Sequence, residues 1–445
     1  MFVRSNNKIS DNFINFISFL YFLNLLLTVV FMRSYVGIKI FGFRIGEILI
    51  GFCLLVIFIL FFKKLRNIFE ISNELLLIKC TQIIIGSFFV IVALNQNFNF
   101  SLSILKTSSY IWSLGYLFAG YYFLSKLNLK FVTILFAGAV FSSYFITFIN
   151  YPNFVMDFFI KFSDKFQFIK AADTLLILVL FNFLIKRCKL ETNKEFLIFL
   201  ISSSLFIPYF FVQSRGSVLA AVIFVILNLF NYKKYIRNNV LRFILGILLS
   251  VISFYFSSYF LSGIDFSSEE RQLEVVEVNE AIKNEVVKKK NISKGFLTFY
   301  FEDGRIYSVD NTTNWRLDIW QDLVEDLVNK NKLFFGFGYE GVYEIMLDPT
   351  APGRLGRDGL NENVHNYFFN ILGRGGLFQL VLFLYFYLLL FKRWTRSHGV
   401  LDFFIFFTPL LVVSSLDVTM EGVQFPLIFF SIIGYLLSLD YYKKV

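Results

Sequence analysis

The sequence predicts an all-α fold, a polytopic membrane bundle of about twelve transmembrane helices that carries one large extracytoplasmic helical loop domain. Three observations predict it. The chain is 57% hydrophobic and 17% charged, whereas a soluble domain is about half apolar and about a quarter charged. Apolar runs of about twenty residues recur along most of its length, enough to cross about 30 Å of hydrocarbon. Basic residues gather on alternate connecting segments, as they do when successive helices cross a bilayer. Helices are the expected spans because each satisfies its own backbone hydrogen bonds. The short alternating segments of a β-barrel are missing.

Taken in order, the spans are 13–32, 45–62, 77–94, 107–125, 131–149, 171–186, 195–213, 216–232, 242–261, 370–391, 401–416 and 424–440. The first is a full-length apolar run with no small-residue cleavage site after it, so it reads as a retained helix rather than a signal peptide. Lys63, Lys64 and Arg66, then Lys126 and Lys130, then Lys186, Arg187, Lys189 and Lys194, then Lys233, Lys234 and Arg237 all fall on one side. The positive-inside rule makes that side cytoplasmic and places both termini there. One outward loop resists the rule: residues 33–44 carry Arg33, Lys39 and Arg44. The net charge of +10 is mostly this orientation signal, with some attraction to anionic lipid, and calls for no nucleic acid.

Residues 262–369 contain no credible span and therefore face outward. The chain thus divides into spans one to nine (1–261), a large outward loop (262–369) and spans ten to twelve (370–445). Residues 267–294 read as a helix, with serines to cap it, Glu crowding its start and Lys its end. Residues 316–330 are amphipathic, with Leu317, Trp320, Leu323, Val324 and Leu327 on one face. The Gly-rich stretch FFGFGYEG ends that helix as a turn. The loop reads as a small helical cap on the membrane surface. Cys53, Cys80 and Cys188 lie within spans or on their cytoplasmic side, and offer neither an outward disulfide nor a metal cluster.

Three stretches then fall on the outer surface: Gln213-Ser214-Arg215-Gly216, Asn314-Trp315-Arg316-Leu317, and His365-Asn366 with Arg374. Each sets a cationic or titratable group at membrane-surface depth, where charge is expensive. An arginine fork suits a phosphate, and two from different segments suit a diphosphate. Arg316, read as lying in the first turn of its helix, is unfavourable there for the dipole, while the free N–H groups of that turn favour an anion. Plainer readings stand beside these. Arg215 can snorkel to head groups. Asp318 or Asp322 can pair with Arg316. His365 can be a hydrogen-bonded structural group, and His398 lies in a basic cytoplasmic loop. Glu47, Lys106, Asp173, Asp417 and Glu421 would suit a polar pathway, which keeps a flippase or transporter as the reading from another class. No Gly-rich phosphate loop, zinc-ligand spacing or Ser-His-Asp order is present.

QSRGSVLAAVIFVI, then NWRLDIWQDLVEDLVNKNKLFFGFGYEGVY, then HNYFFNILGRGGLFQLVLFLY occur in this order, with the long loop between spans nine and ten. Together they resemble the O-antigen ligase and polymerase family, strongly over 215–390 and only as membrane helices over the first 200 residues. That family has an Arg-Gly pair opening a span, an Arg-Leu-x-x-Trp helix followed by a Gly-x-Gly turn, and a His-Asn opening a span. Arg374-Gly375 departs from it, since the family often has an acidic residue there.

The resemblance implies a GT-C-like membrane bundle with a lateral opening for lipid, in the bacterial inner membrane with its active site outward. It implies a metal-independent glycosyltransferase with no cofactor. Arg215 and Arg316 would bind the diphosphate of an undecaprenyl-diphosphate-linked glycan, and Asn366 and Arg374 would belong to the substrate-binding set, with Tyr367 as a neighbour. His365 would be the general base toward an acceptor hydroxyl. The acceptor is a second lipid-linked repeat unit for a polymerase, the reading preferred, or lipid A-core for a ligase. Membrane lipid and a chain-length regulator protein are further partners.

Overall fold

The computed structural model describes residues 8–66, 74–96, 101–146, 151–261, 298–348, 351, 354 and 362–441. Among the described residues, a helix lies in each of the twelve predicted ranges. They are α1 (Lys8–Val36), α2 (Ile45–Phe61), α3 (Leu75–Gln96), α4 (Gly115–Phe123), α5 (Leu129–Tyr144), α7 (Ala171–Arg187), α8 (Thr192–Gln213), α9 (Arg215–Asn231), α10 (Val240–Phe256), α12 (Tyr367–His398), α13 (Val400–Ser414) and α14 (Gln424–Tyr441); α6 (Asn153–Phe162) and α11 (Asn311–Asn329) are additional. Two small antiparallel hairpins interrupt them: β1 (Lys39–Ile40) with β2 (Phe43–Arg44), and β3 (Phe299–Glu302) with β4 (Arg305–Ser308). Among the described residues, five helices are long and apolar enough to cross a membrane, or six if one bent pair counts as a single span. The bent pair is the predicted fourth span together with α5, the fifth. The fourth is broken into short pieces and meets α5 at 117°, with Asn128 starting α5 by accepting from the Lys130 N–H at 2.9 Å. The helix read over 267–294 lies outside the described residues.

The chain forms two compact units, Met1–Gly86, Lys106–Ile264 and Leu382–Val445 in the first, and Ser87–Leu105 and Asp265–Val381 in the second. In the first unit, α4 and α14 pack backbone to backbone. A Cβ on Gly434 would overlap the Leu117 carbonyl, and one on Gly120 would overlap Ser431; small residues let helices approach this closely. Ion pairs pin the helix ends: Lys186 and Arg187 meet Asp402 at 2.5 and 3.4 Å, and Arg393 meets Glu74 at 2.7 Å. The His398 ring lies against Trp394 at 4.6 Å.

The second unit is built on α11. Asp310 starts this helix, its carboxylate accepting from the Thr313 N–H at 2.9 Å and from the Thr313 hydroxyl at 2.6 Å. Ile319, Leu323 and Leu327 form its buried stripe and pack with Tyr343, Met346, Val364 and Leu372; Trp315, Trp320 and Val324 flank it. Leu317, expected on this face, is not part of that cluster. The unit also takes in the last turns of α3, which the division at 262–369 leaves out. The reason is contact: Phe88 lies 5.0 Å from the Tyr339 ring, Gln379 donates to Ser87 at 3.1 Å and Lys332 donates to Asn95 at 2.8 Å.

Candidate functional site

The second unit holds four of the five predicted site residues, Arg316, His365, Asn366 and Arg374. The fifth, Arg215, belongs to the first unit.

The Gly-rich turn and the start of α12 are spliced through their main chains. Gly336, Gly338 and Gly341 have φ of 68°, 82° and 71°, the left-handed region where glycine carries no Cβ penalty. Phe337 N–H donates to the Gly373 carbonyl at 2.8 Å, and Gly338 N–H to the Arg374 carbonyl at 3.0 Å. α12 opens at Gly376, where φ is 66°. Leu377 and Phe378 there donate outward to the carbonyls of Leu333 and Phe334, at 2.9 and 3.1 Å. A Cβ on Gly336 or Gly376 would strike the facing backbone. Gly336 and Gly376 are thus explained by one interlock.

Arg374 sits inside that interlock and is 1% exposed. Its guanidinium donates to the carbonyls of Gly338, Glu340 and Glu362 at 3.4, 3.5 and 3.5 Å. It also lies 4.2 Å over the Tyr343 ring, a favourable place for a desolvated cation. These contacts are with three backbone carbonyls and one ring of the chain itself; the sequence reading put Arg374 in the substrate-binding set.

His365 stands just before α12. Its φ is 54°, a left-handed conformation that is uncommon for a non-glycine residue and that clusters at functional sites. Three tethers hold the segment. Arg374 grips the Glu362 carbonyl. Trp320 Nε1–H donates to the Val364 carbonyl at 2.7 Å. Asn366 caps α12, its Oδ1 accepting from the N–H groups of Phe368 and Phe369 at 3.0 and 3.2 Å. Asn366 is 6% exposed, so its amide serves the helix start. Tyr367 is buried beside it. The His365 imidazole itself is half-buried and meets the Trp315 ring edge-on at 5.0 Å.

Arg316 follows Trp315 and is half-buried. Two sequence expectations about it change. Because Asp310 caps α11, the helix begins at Asn311 and Arg316 lies in the second turn; the free N–H groups belong to residues before it. Asp318 and Asp322 pair instead with two other arginines. Arg305 reaches them at 3.1 and 2.5 Å, and Arg354, 4% exposed, at 3.1 and 2.5 Å. This four-charge network ties β4 and residue 354 to the outer face of α11.

In the first unit, Arg215 is the first residue of α9 and is exposed. Ser214 caps that helix, accepting from the Ser217 N–H at 3.4 Å. Gly216 packs against Leu416, just before the turn that carries Asp417 and Glu421. Burial pushes the Glu421 carboxyl up to about 7.

Tyr343, Arg305 and Arg354 were not singled out from the sequence, and Trp315 and Trp320 were named only as part of a stretch and of an apolar face, not as site residues. The tryptophans lie within the quoted NWRLDIW stretch, which was their signal. Arg354 had none, since Asp318 and Asp322 lie more than thirty residues away. Residues 196–384 match the family model described as O-antigen ligase. No curated protein matches the chain.

Proposed function

Since residues 196–384 match the family model described as O-antigen ligase, we propose that the protein is a membrane glycosyltransferase that polymerises polyprenyl-diphosphate-linked repeat units. The observation that carries the proposal is the presentation of His365. A half-buried imidazole, on a left-handed backbone, is held by Arg374, Trp320 and Asn366 beside the Trp315–Arg316 step of α11. A general base needs that kind of fixed placement.

In this reading the acceptor hydroxyl attacks the anomeric carbon of the donor glycan. The bond from that carbon to the phosphate oxygen breaks, and polyprenyl diphosphate leaves with the electron pair. His365 takes the hydroxyl proton as the new glycosidic bond forms, the general-base role for which imidazole is the commonest side chain. Arg316 stabilises the charge that develops on the leaving diphosphate. The same role for Arg215 rests on the resemblance. Asn366 and Arg374 serve as positioning groups. The diphosphate is its own leaving group, so the step calls for no metal. The reading further assigns about twelve spans, cytoplasmic termini and an outward 262–369, in a bacterial inner membrane.

The description of the matched family as a ligase favours one second reading, transfer of a finished glycan to lipid A-core. One experiment tests both. Purified protein in liposomes receives a polyprenyl-diphosphate repeat unit, alone or with lipid A-core. Ladders from the repeat unit alone support the polymerase; glycan on lipid A-core without ladders supports the ligase. Release of polyprenyl diphosphate in neither case would reject both.

A further inference from the structure

The loop that broke the charge rule forms a distinct surface of the first unit. Ile38 bridges Ser163, Ser163 donates to the Ser34 carbonyl at 2.7 Å, and Arg33 donates to the Gln167 amide oxygen at 2.9 Å. The β1–β2 hairpin is therefore fastened to the segment that follows α6. At its tip, Phe41 and Gly42 both have positive φ, 51° and 86°. A two-residue turn of this kind favours Asn or Gly. Phenylalanine there is strained, and it is 98% exposed. Phe43 beside it, and Phe154, Phe158, Ile160 and Phe162 on α6, are exposed too.

The same two segments are rich in cations. Residues 33–44 and 151–170 contain Arg33, Lys39, Arg44, Lys161, Lys165 and Lys170 against two carboxylates, Asp157 and Asp164. Asp164 is already engaged, by Arg44 at 2.6 Å and by Lys39 at 3.5 Å. Half-buried Lys165 is pulled below the ordinary lysine value, by burial first and then by Arg33, Arg44 and Lys106. Exposed aromatics beside a surplus of cations match a lipid interface, where the rings enter the acyl boundary and the cations meet phosphate.

We propose that the β1–β2 hairpin and α6 form a docking surface for an anionic phospholipid of the bilayer, with Lys39, Lys165 and Arg33 taking the headgroup phosphate and Phe41, Phe43 and α6 lying among the acyl chains. This rests on the membrane reading of the chain and is independent of the glycosyl-transfer chemistry. It also accounts for two of the three basic residues in that outward loop, Arg33 and Lys39, while Arg44 pairs with Asp164.

The test is lipid retention by native mass spectrometry of the full chain, purified with phosphatidylglycerol or phosphatidylcholine of the same acyl length. Wild type should retain phosphatidylglycerol in preference. Lys39→Gln/Lys165→Gln should lose that preference by on the order of tenfold, and Lys39→Arg/Lys165→Arg should keep it. Lys39→Gln alone, at a largely exposed side chain, should lose part of it and guards against misfolding of the double variant. Phe41→Ser should lower retention of both lipids and leave their ratio unchanged. Wild-type preference in both Gln variants would overturn the proposal. So would displacement of bound phosphatidylglycerol by an equimolar polyprenyl phosphate, because the surface would then belong to the donor.

Discussion

Replacing Trp320 with phenylalanine removes the indole N–H on which the His365 segment depends, together with the five-membered ring that carries it, and leaves a smaller aromatic ring in its place. The indole N–H donates to the Val364 carbonyl at 2.7 Å, while the ring stacks on Phe369 at 5.3 Å with 10° between planes. A phenyl ring keeps most of the stacking. Val364 is 0% exposed, so its carbonyl would lose its donor without gaining water. An unsatisfied buried acceptor costs about 1–3 kcal/mol. If that cost falls on the conformation that presents His365, turnover drops about five- to 150-fold, since about 1.4 kcal/mol is a factor of ten. The assay is glycan transfer per folded molecule at saturating donor, with the donor KM and the unfolding midpoint measured alongside. Turnover should fall with KM nearly unchanged and the midpoint lowered modestly. A lowered midpoint with wild-type turnover per folded molecule would refute the link between this tether and catalysis.

Arg316→Lys should lose most activity although charge is kept, because an ammonium cannot reproduce the bidentate fork; Arg215→Lys should behave likewise, and normal product from either at matched expression would make that arginine a structural or snorkelling residue. Glu421 is pushed from 4.5 to about 7 in the folded chain. Between those values the folded state holds a proton that the unfolded state has released, so stability falls as pH rises through that window and is level above it. Glu421→Gln should remove this slope, read as the difference in unfolding midpoint between pH 5 and pH 7.5 in the two proteins. For topology, a single cysteine at Asp348 in a cysteine-free background should label from outside intact spheroplasts, and one at Lys234 should not; the reverse pattern would turn the outward assignments around.

The helices were legible because long apolar runs are local and abundant. The count of true crossings was less so, since several apolar helices are short and the fourth is broken. α6 was missed: ten residues between two spans leave no periodic signal long enough to read. The start of α11 was read late because Asp310 and Thr313 form its cap upstream of the apolar stripe. The glycines around 336 and 376 were legible as turns. That they splice two segments through main-chain bonds was not, because the pairing depends on a partner about forty residues away. For the same reason Asp318 and Asp322 were offered to Arg316, their neighbour in sequence, when Arg305 and Arg354 take them in space. The left-handed backbone of His365 leaves no trace in a sequence at all, and its three tethers come from α11, from α12 and from the interlock.

The central claim is that His365 acts as the base, and His365→Ala measures it most directly. Donor affinity and turnover per folded molecule are read separately, in liposomes supplied with lipid-linked repeat units or lipid A-core. A general base contributes about 10²–10⁴-fold, so turnover should fall by that order, while donor affinity and the amount of folded protein stay near wild type. Wild-type turnover per folded molecule in His365→Ala would contradict the account and move the search for the base to Asp417 and Glu421.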